Sequence, residues 1–223
     1  MSGCVVFDLD GTLVDSVPDI LAAANRLLEE LNRSAISRAT AVSFVGNGIP
    51  VFVRRLLEHA GLDLPPERIS LAIERFTAIY RQNPATHGRP YPGVPAALEE
   101  LRQRGFHLGV CTNKVRVLAD MVLDRLDLTR HFQTVVGGDD LPHAKPDPAM
   151  LYACIADLPP GPCLFVGDSE VDAATARAAP VPFILFTQGY LKGPLPAPPD
   201  AHFDDYARLP GIVRRLTSSR ADG

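Results

Sequence analysis

The run Phe7-Asp8-Leu9-Asp10-Gly11-Thr12-Leu13-Val14-Asp15-Ser16 ends a short apolar stretch with two carboxylates one residue apart. Such a pair is costly without a cation. Cys4-Val5-Val6-Phe7 reads as a buried parallel strand, and Gly11-Thr12 supplies a sharp turn that leaves both aspartates at its carboxyl end. In open α/β sheets, ligands bind at that end. Chemistry that needs a strand-end aspartate pair is attack on phosphorus, in which one carboxylate takes the phosphoryl group and its neighbour moves protons. Taken alone, the run also fits a plain turn carrying two solvated acids.

The elements that must position this pair follow from periodicity. Asp19 to Leu31 places Ile20, Ala23, Ala24, Leu27, Leu28 and Leu31 on one helical face. Further helical stretches run from about Ala39 to Val45, Pro50 to Ala60 and Pro66 to Arg81, with no convincing strand among them. Turn-rich segments bracket this insert, Asp15 to Pro18 on one side and Asn83 to Pro90 on the other, and both suit a two-strand hinge. From Tyr91 the pattern alternates. Helices are expected at Val94–Arg104, Val115–Leu126, Pro148–Ala156 and Ala173–Ala179, and strands at Phe106–Cys111, Phe132–Val136, Cys163–Val166 and Pro182–Phe186. Such alternation implies a doubly wound parallel sheet, a Rossmann-like α/β core, with right-handed crossovers. A last helix, about Tyr206 to Leu216, is expected on the sheet's edge before a frayed tail, and Pro194 to Pro199 reads as a stiff connection.

The chain has 223 residues, 46% hydrophobic and 22% charged, which accommodates one core of about 150 residues plus a smaller unit. A formal charge of -4 with no polybasic tract argues against nucleic acid as the main partner. No apolar run approaches the roughly 18 residues of a membrane span. With strand-like sequence from residue 4, no signal peptide is expected. Cys4, Cys111, Cys154 and Cys163 lack C-x-x-C spacing and read as reduced thiols, so a cytoplasmic location is expected. The six histidines are scattered without ligand spacing, which speaks against zinc. Monomer and homodimer remain open.

The first run resembles the leading signature of the haloacid dehalogenase superfamily in its magnesium-dependent phosphatases. Val110-Cys111-Thr112-Asn113-Lys114, Lys145-Pro146-Asp147-Pro148 and Leu164-Phe165-Val166-Gly167-Asp168-Ser169-Glu170-Val171-Asp172 are similar to the three further family motifs, in the same order. The resemblance implies that Asp8 is the nucleophile, Asp10 the general acid and base, and Lys145 a stabiliser of the transferring phosphoryl group. It also implies one magnesium ion, held by Asp8, Asp168 and the backbone carbonyl of Asp10. Gly11, Thr12, Thr112 and Asn113 would bind substrate, although a Ser/Thr at such a position is by itself usually a helix cap. Ser169 and Asp172 would stand behind the metal, with Asp172 equally readable as a first-turn acid at a helix N-terminus.

By the same resemblance, the helical insert is a mobile cap over residues 16–88, set into a core of residues 1–15 and 89–223. Its segment Val45-Gly46-Asn47-Gly48-Ile49-Pro50 is either a plain interhelical turn or a cap tip offering Gly46, Asn47 and exposed amides to substrate. Arg54 and Arg55 are candidate anion ligands or a solvated face. Within the family these segments look most like those of members acting on a small phosphate ester that carries a carboxylate. An insert without lysine argues against an imine-forming phosphonate cleaver, and Asp10 argues against a dehalogenase. Sugar phosphatases, phosphomutases and a non-catalytic binding protein stay as alternatives.

Overall fold

Successive side chains of a strand point to opposite faces, so a strand covered on both sides must be apolar throughout. β1 (Cys4–Phe7) meets that condition, being buried along its whole length. The computed structural model describes residues 3–218. β1 sits inside a six-stranded sheet with β4 (His107–Cys111), β5 (Thr134–Val136), β6 (Cys163–Gly167), β7 (Phe183–Phe186) and β8 (Ala201–Phe203), in the order β5-β4-β1-β6-β7-β8. All of its pairings are parallel.

Val5 and Phe7 pack with Val110, Val166 and Ile184 in one layer, under α5 (Val94–Gln103), α6 (Arg116–Arg125) and α9 (Leu209–Ser218). Cys4 and Val6 pack in the other with Phe165 and Leu185, under α7 (Ala149–Ala156) and α8 (Glu170–Ala178). The sheet is therefore doubly wound. Strand order reverses direction around β1, and the crevice at the carboxyl ends of β4, β1 and β6 is the switch point where such folds take ligands.

Between β1 and β4 lie α1 (Val17–Glu30), α2 (Arg38–Phe44), α3 (Gly48–His59) and α4 (Pro66–Gln82), which bury their own apolar cluster around Leu27, Phe52, Leu56 and Phe76. Core residues Leu118 and Tyr190 join that cluster, so the helical unit rests directly on the sheet's ligand-binding end. The chain crosses into and out of it through β2 (Val14–Asp15) and β3 (Arg89–Pro90), an antiparallel pair of two residues each. Asp19 clasps the same crossing, accepting from the backbone N–H groups of Thr86, His87 and Gly88 at 3.0, 2.8 and 2.7 Å.

Three sequence expectations shift. α8 begins at Glu170 rather than Ala173, because Ser169 and Asp172 form a reciprocal capping box that starts the helix at once. The C-terminal segment opens with a 3-10 turn at Tyr206–Arg208, and α9 then packs beside α5 in the sheet's apolar layer instead of on its edge. The edge is taken by β8, which pairs with β7. The tail expected beyond α9 lies outside the described residues.

Candidate active site

Asp8 follows β1, Thr112 follows β4 and Asp168 follows β6, so three adjacent strands deliver the first, second and fourth motifs to one crevice. Asp8 Oδ1 accepts the Leu9 N–H at 2.7 Å and forms an ion pair with Lys145 Nζ at 3.0 Å. Its Oδ2 receives no hydrogen bond from the described residues. Lys145 also donates to Asp172 Oδ1 at 2.6 Å. Burial alone would lower the Lys145 ammonium, but the Asp172 and Asp8 carboxylates outweigh it and hold it above its ordinary value.

Asp10 faces away from this group. Ser16 Oγ donates to its Oδ1 at 2.6 Å, and Lys114 Nζ reaches both of its oxygens at 2.7 and 2.8 Å. Thr12, expected to bind substrate, instead donates its hydroxyl to Asp168 Oδ1 at 2.7 Å. Gly11 has φ 87, and a Cβ there would stand 2.4 Å from Asp168 Oδ2, so the turn admits only glycine beside that carboxylate. Asp168 Oδ2 accepts the Tyr190 N–H at 2.6 Å.

Asn113 positions neighbours more than it offers a side chain to phosphate. Its Nδ2 donates to Gly46 O and Lys145 O, both at 3.0 Å, and its Oδ1 accepts the Lys145 N–H at 2.9 Å. One amide thus joins the cap loop, the β4 end and the lysine loop. Thr112 remains on the cavity wall, where its Oγ1 accepts the Lys114 N–H at 3.3 Å.

The carboxylates around the expected cation site face two ways. Carboxylate oxygens of Asp8, Asp168 and Asp172 lie within 4.8 Å of one another, whereas the Asp10 carboxylate is turned toward Ser16 and Lys114. Any metal contact from Asp10 is therefore left to its backbone. Asp172 is itself saturated, with Lys145 on Oδ1 and with Ser169 Oγ at 2.6 Å and the Ser169 N–H at 3.2 Å on Oδ2. These bonds fix Asp172 against Lys145 and Ser169. Burial, with Lys145 opposing and Asp172 and Asp10 adding to it, pushes the Asp8 carboxyl up to about 6. Burial and the charges of Asp172 and Asp8 push Asp168 well above the usual carboxylate range. Crowded, buried hard oxygen donors that are short of positive charge fit a small divalent cation.

Above the aspartates lies a cavity of about 50 Å³, bounded on the cap side by Gly46, Gly48, Ile49, Phe52, Phe76 and Tyr80. Gly46 therefore lies where the sequence places it. Asn47 does not line the cavity and makes no capping hydrogen bond at the start of α3. Arg54 is a correction: Phe52, Val53, Leu56 and Leu57 form the buried face of α3, which leaves Arg54 exposed and away from the cavity. Arg55 donates to Phe44 O at 3.3 Å. Lys114, Tyr80 and Tyr190 were not singled out from sequence. The one signal for Lys114 was its place beside Thr112-Asn113 in a chain with three lysines.

The chain belongs to the haloacid dehalogenase-like hydrolase family, whose model matches residues 5–186. It is similar to the phosphoglycolate phosphatase of Cereibacter sphaeroides, with 45% identity over 213 residues that cover 95% of this chain and 98% of the relative. The phosphoglycolate phosphatase of Rhodobacter capsulatus is 41% identical over 226 residues, covering 98% and 100%. Among solved structures, a predicted phosphoglycolate phosphatase from Haemophilus somnus aligns with a TM-score of 0.88 at 32% identity, over 94% of this chain and 97% of that one. The family is one of hydrolases. No helix among the described residues is long and apolar enough to cross a membrane.

Proposed function

We propose that this protein is a magnesium-dependent phosphatase that hydrolyses 2-phosphoglycolate to glycolate and phosphate through an aspartyl-phosphate on Asp8. The observation that carries the reading is the division of labour between the two aspartates. Asp8 keeps one unengaged oxygen beside Lys145, while Asp10, two residues on, is held apart by Ser16 and Lys114. Asp8 forms a bond to phosphorus as the bond to the glycolate oxygen breaks, and Asp10 gives that oxygen a proton. Asp10 then takes a proton from water attacking the phosphoenzyme, which releases phosphate and regenerates Asp8. Lys145 balances the charge on the transferring group, and Thr112 orients its oxygens.

Magnesium, when bound by Asp8, Asp168 and the Asp10 carbonyl, supplies the positive charge that lets an anionic ester approach a carboxylate. Residues 16–88 act as the cap that excludes water from the first step. The four free cysteines suit a reducing cytoplasm. Full-length similarity to phosphoglycolate phosphatases and the small cavity both support the substrate. Steady-state kcat/KM for 2-phosphoglycolate against a panel of sugar phosphates tests it, with a preference of about 100-fold or more expected. Comparable values across the panel would overturn the substrate. Isomerisation of a sugar phosphate without phosphate release would identify a mutase.

A further inference from the structure

Lys114 is the one lysine or arginine on the cavity wall among the described residues, and its side chain is nearly fully buried. Its ammonium has three N–H donors, of which the two oxygens of Asp10 engage at most two. The remaining face lies over the ring of Tyr80, with Nζ 4.9 Å from the centroid. Tyr80 is 2% exposed, and its hydroxyl lies near the Lys114 ammonium, which can only donate to it, so its O–H has no acceptor among the described residues. Burial pushes that phenol up to about 12, which keeps it protonated and able to donate. A buried O–H without an acceptor is uncommon and unfavourable. The neighbouring walls, Ile20, Ile49, Phe52 and Phe76, contain no side-chain group to satisfy it.

We infer that Lys114 and Tyr80 together form the receptor for the substrate's carboxylate, and that they set specificity for phosphate monoesters carrying a carboxylate next to the ester carbon. The inference rests on the proposed phosphatase reading and deepens it. With the phosphoryl group at Asp8 Oδ2, beside the ion pair to Lys145, a carboxylate in the cavity meets the ammonium of Lys114 and the phenol of Tyr80, while apolar walls disfavour an uncompensated hydroxyl. Lys114 comes from the β4 end and Tyr80 from the last turn of α4, so the receptor is complete only with the cap against the core. A carboxylate that draws Lys114 from one oxygen of Asp10 also frees that oxygen to face the leaving group. Substrate recognition and the acid/base residue thereby share one cation.

The test compares kcat/KM for 2-phosphoglycolate with that for 2-hydroxyethyl phosphate, which replaces the carboxylate by a neutral alcohol, in the full-length enzyme with magnesium. The unmodified enzyme is expected to prefer phosphoglycolate by about 10³-fold or more. Lys114→Met is expected to reduce the ratio by about 100-fold and Tyr80→Phe by about tenfold. The ratio cancels any general loss of rate from disturbing Asp10. Tyr80→Phe preserves ring packing, and it decides the question if Lys114→Met does not fold. Ratios unchanged in the folded variants, beside a strong preference in the unmodified enzyme, would overturn the receptor and leave the substrate standing. No preference in the unmodified enzyme would overturn both.

Discussion

The Tyr190 hydroxyl donates to Asp15 Oδ1 at 2.6 Å, which ties the loop after β7 to the strand where the chain enters its helical unit. The Tyr190 hydroxyl oxygen in turn accepts the Val17 N–H at 3.2 Å, and the Tyr190 backbone N–H donates to Asp168 Oδ2. One residue therefore connects the proposed metal site to the cap crossing. Burial, reinforced by Tyr91, pushes the phenol above its ordinary value and keeps it a donor. Tyr190→Phe retains the ring in the cap cluster but leaves both partners short of a bond. We expect closure to weaken by about 1 kcal/mol, read as a roughly fivefold rise in KM with a smaller change in kcat. An unchanged KM would show that the crossing is held without the hydroxyl.

Lys145 and Asp172 are each about 1% exposed in their side chains and 2.6 Å apart. Lys145→Ala is expected to lower kcat by about 10²- to 10³-fold. Asp172→Asn keeps most of the hydrogen-bond geometry but removes the charge that holds the lysine, and costs about 10- to 100-fold in metal affinity or activity. Steady-state kinetics and metal titration of variants with native circular dichroism check both values. Full activity of Lys145→Ala would remove the lysine from the mechanism.

Asp19 is 3% exposed and takes three backbone N–H groups from the returning crossing. Asp19→Ala leaves all three donors without that partner, at a cost of about 2–3 kcal/mol. Urea unfolding measures it as a lower midpoint at constant slope. A shift below about 0.5 kcal/mol would mean that water replaces the carboxylate freely.

Acid should separate the metal from the protein before it unfolds the chain. Asp8 is pushed from 3.8 to about 6, with burial the largest cause. Its folded value lies above its unfolded value, so between about pH 4 and 6 the folded state binds more protons. For the metal-free protein, this group's contribution to stability thus falls as pH rises through that window. A cation needs the ionised carboxylates and binds more weakly as pH falls below about 6, by roughly tenfold per pH unit for each proton that must leave. The rise in Tm on adding magnesium is expected to be large near about pH 7.5 and absent by about pH 5. A rise independent of pH would contradict the ligand assignment.

Much of this arrangement is legible in the sequence because motif residues sit at strand ends, and strands with two buried faces are unbroken apolar runs. The strand-end positions of Asp8, Thr112 and Asp168 follow from that pattern, and their roles from the resemblance of the motifs to the family's. Arg54 was misplaced because the phase of α3 is set by Phe52, Val53 and Leu56, which turn it to solvent. The early start of α8 was readable as Ser169-x-x-Asp172, a capping box inside a catalytic motif. β2, β3 and β8 are two or three residues long, too short to show a period. The partnerships of Lys114 with Asp10 and of Tyr190 with Asp15 join distant parts of the chain and exist only after folding.

The proposed covalent step is tested most directly by acid-quenching the enzyme during turnover of 2-phosphoglycolate radiolabelled at phosphorus, with magnesium, and mapping the label. Label on the peptide containing Asp8, absent together with phosphate release in a folded Asp8→Asn variant, is the predicted result. Phosphate release by that variant at the unmodified rate, or label on a different residue, would contradict it.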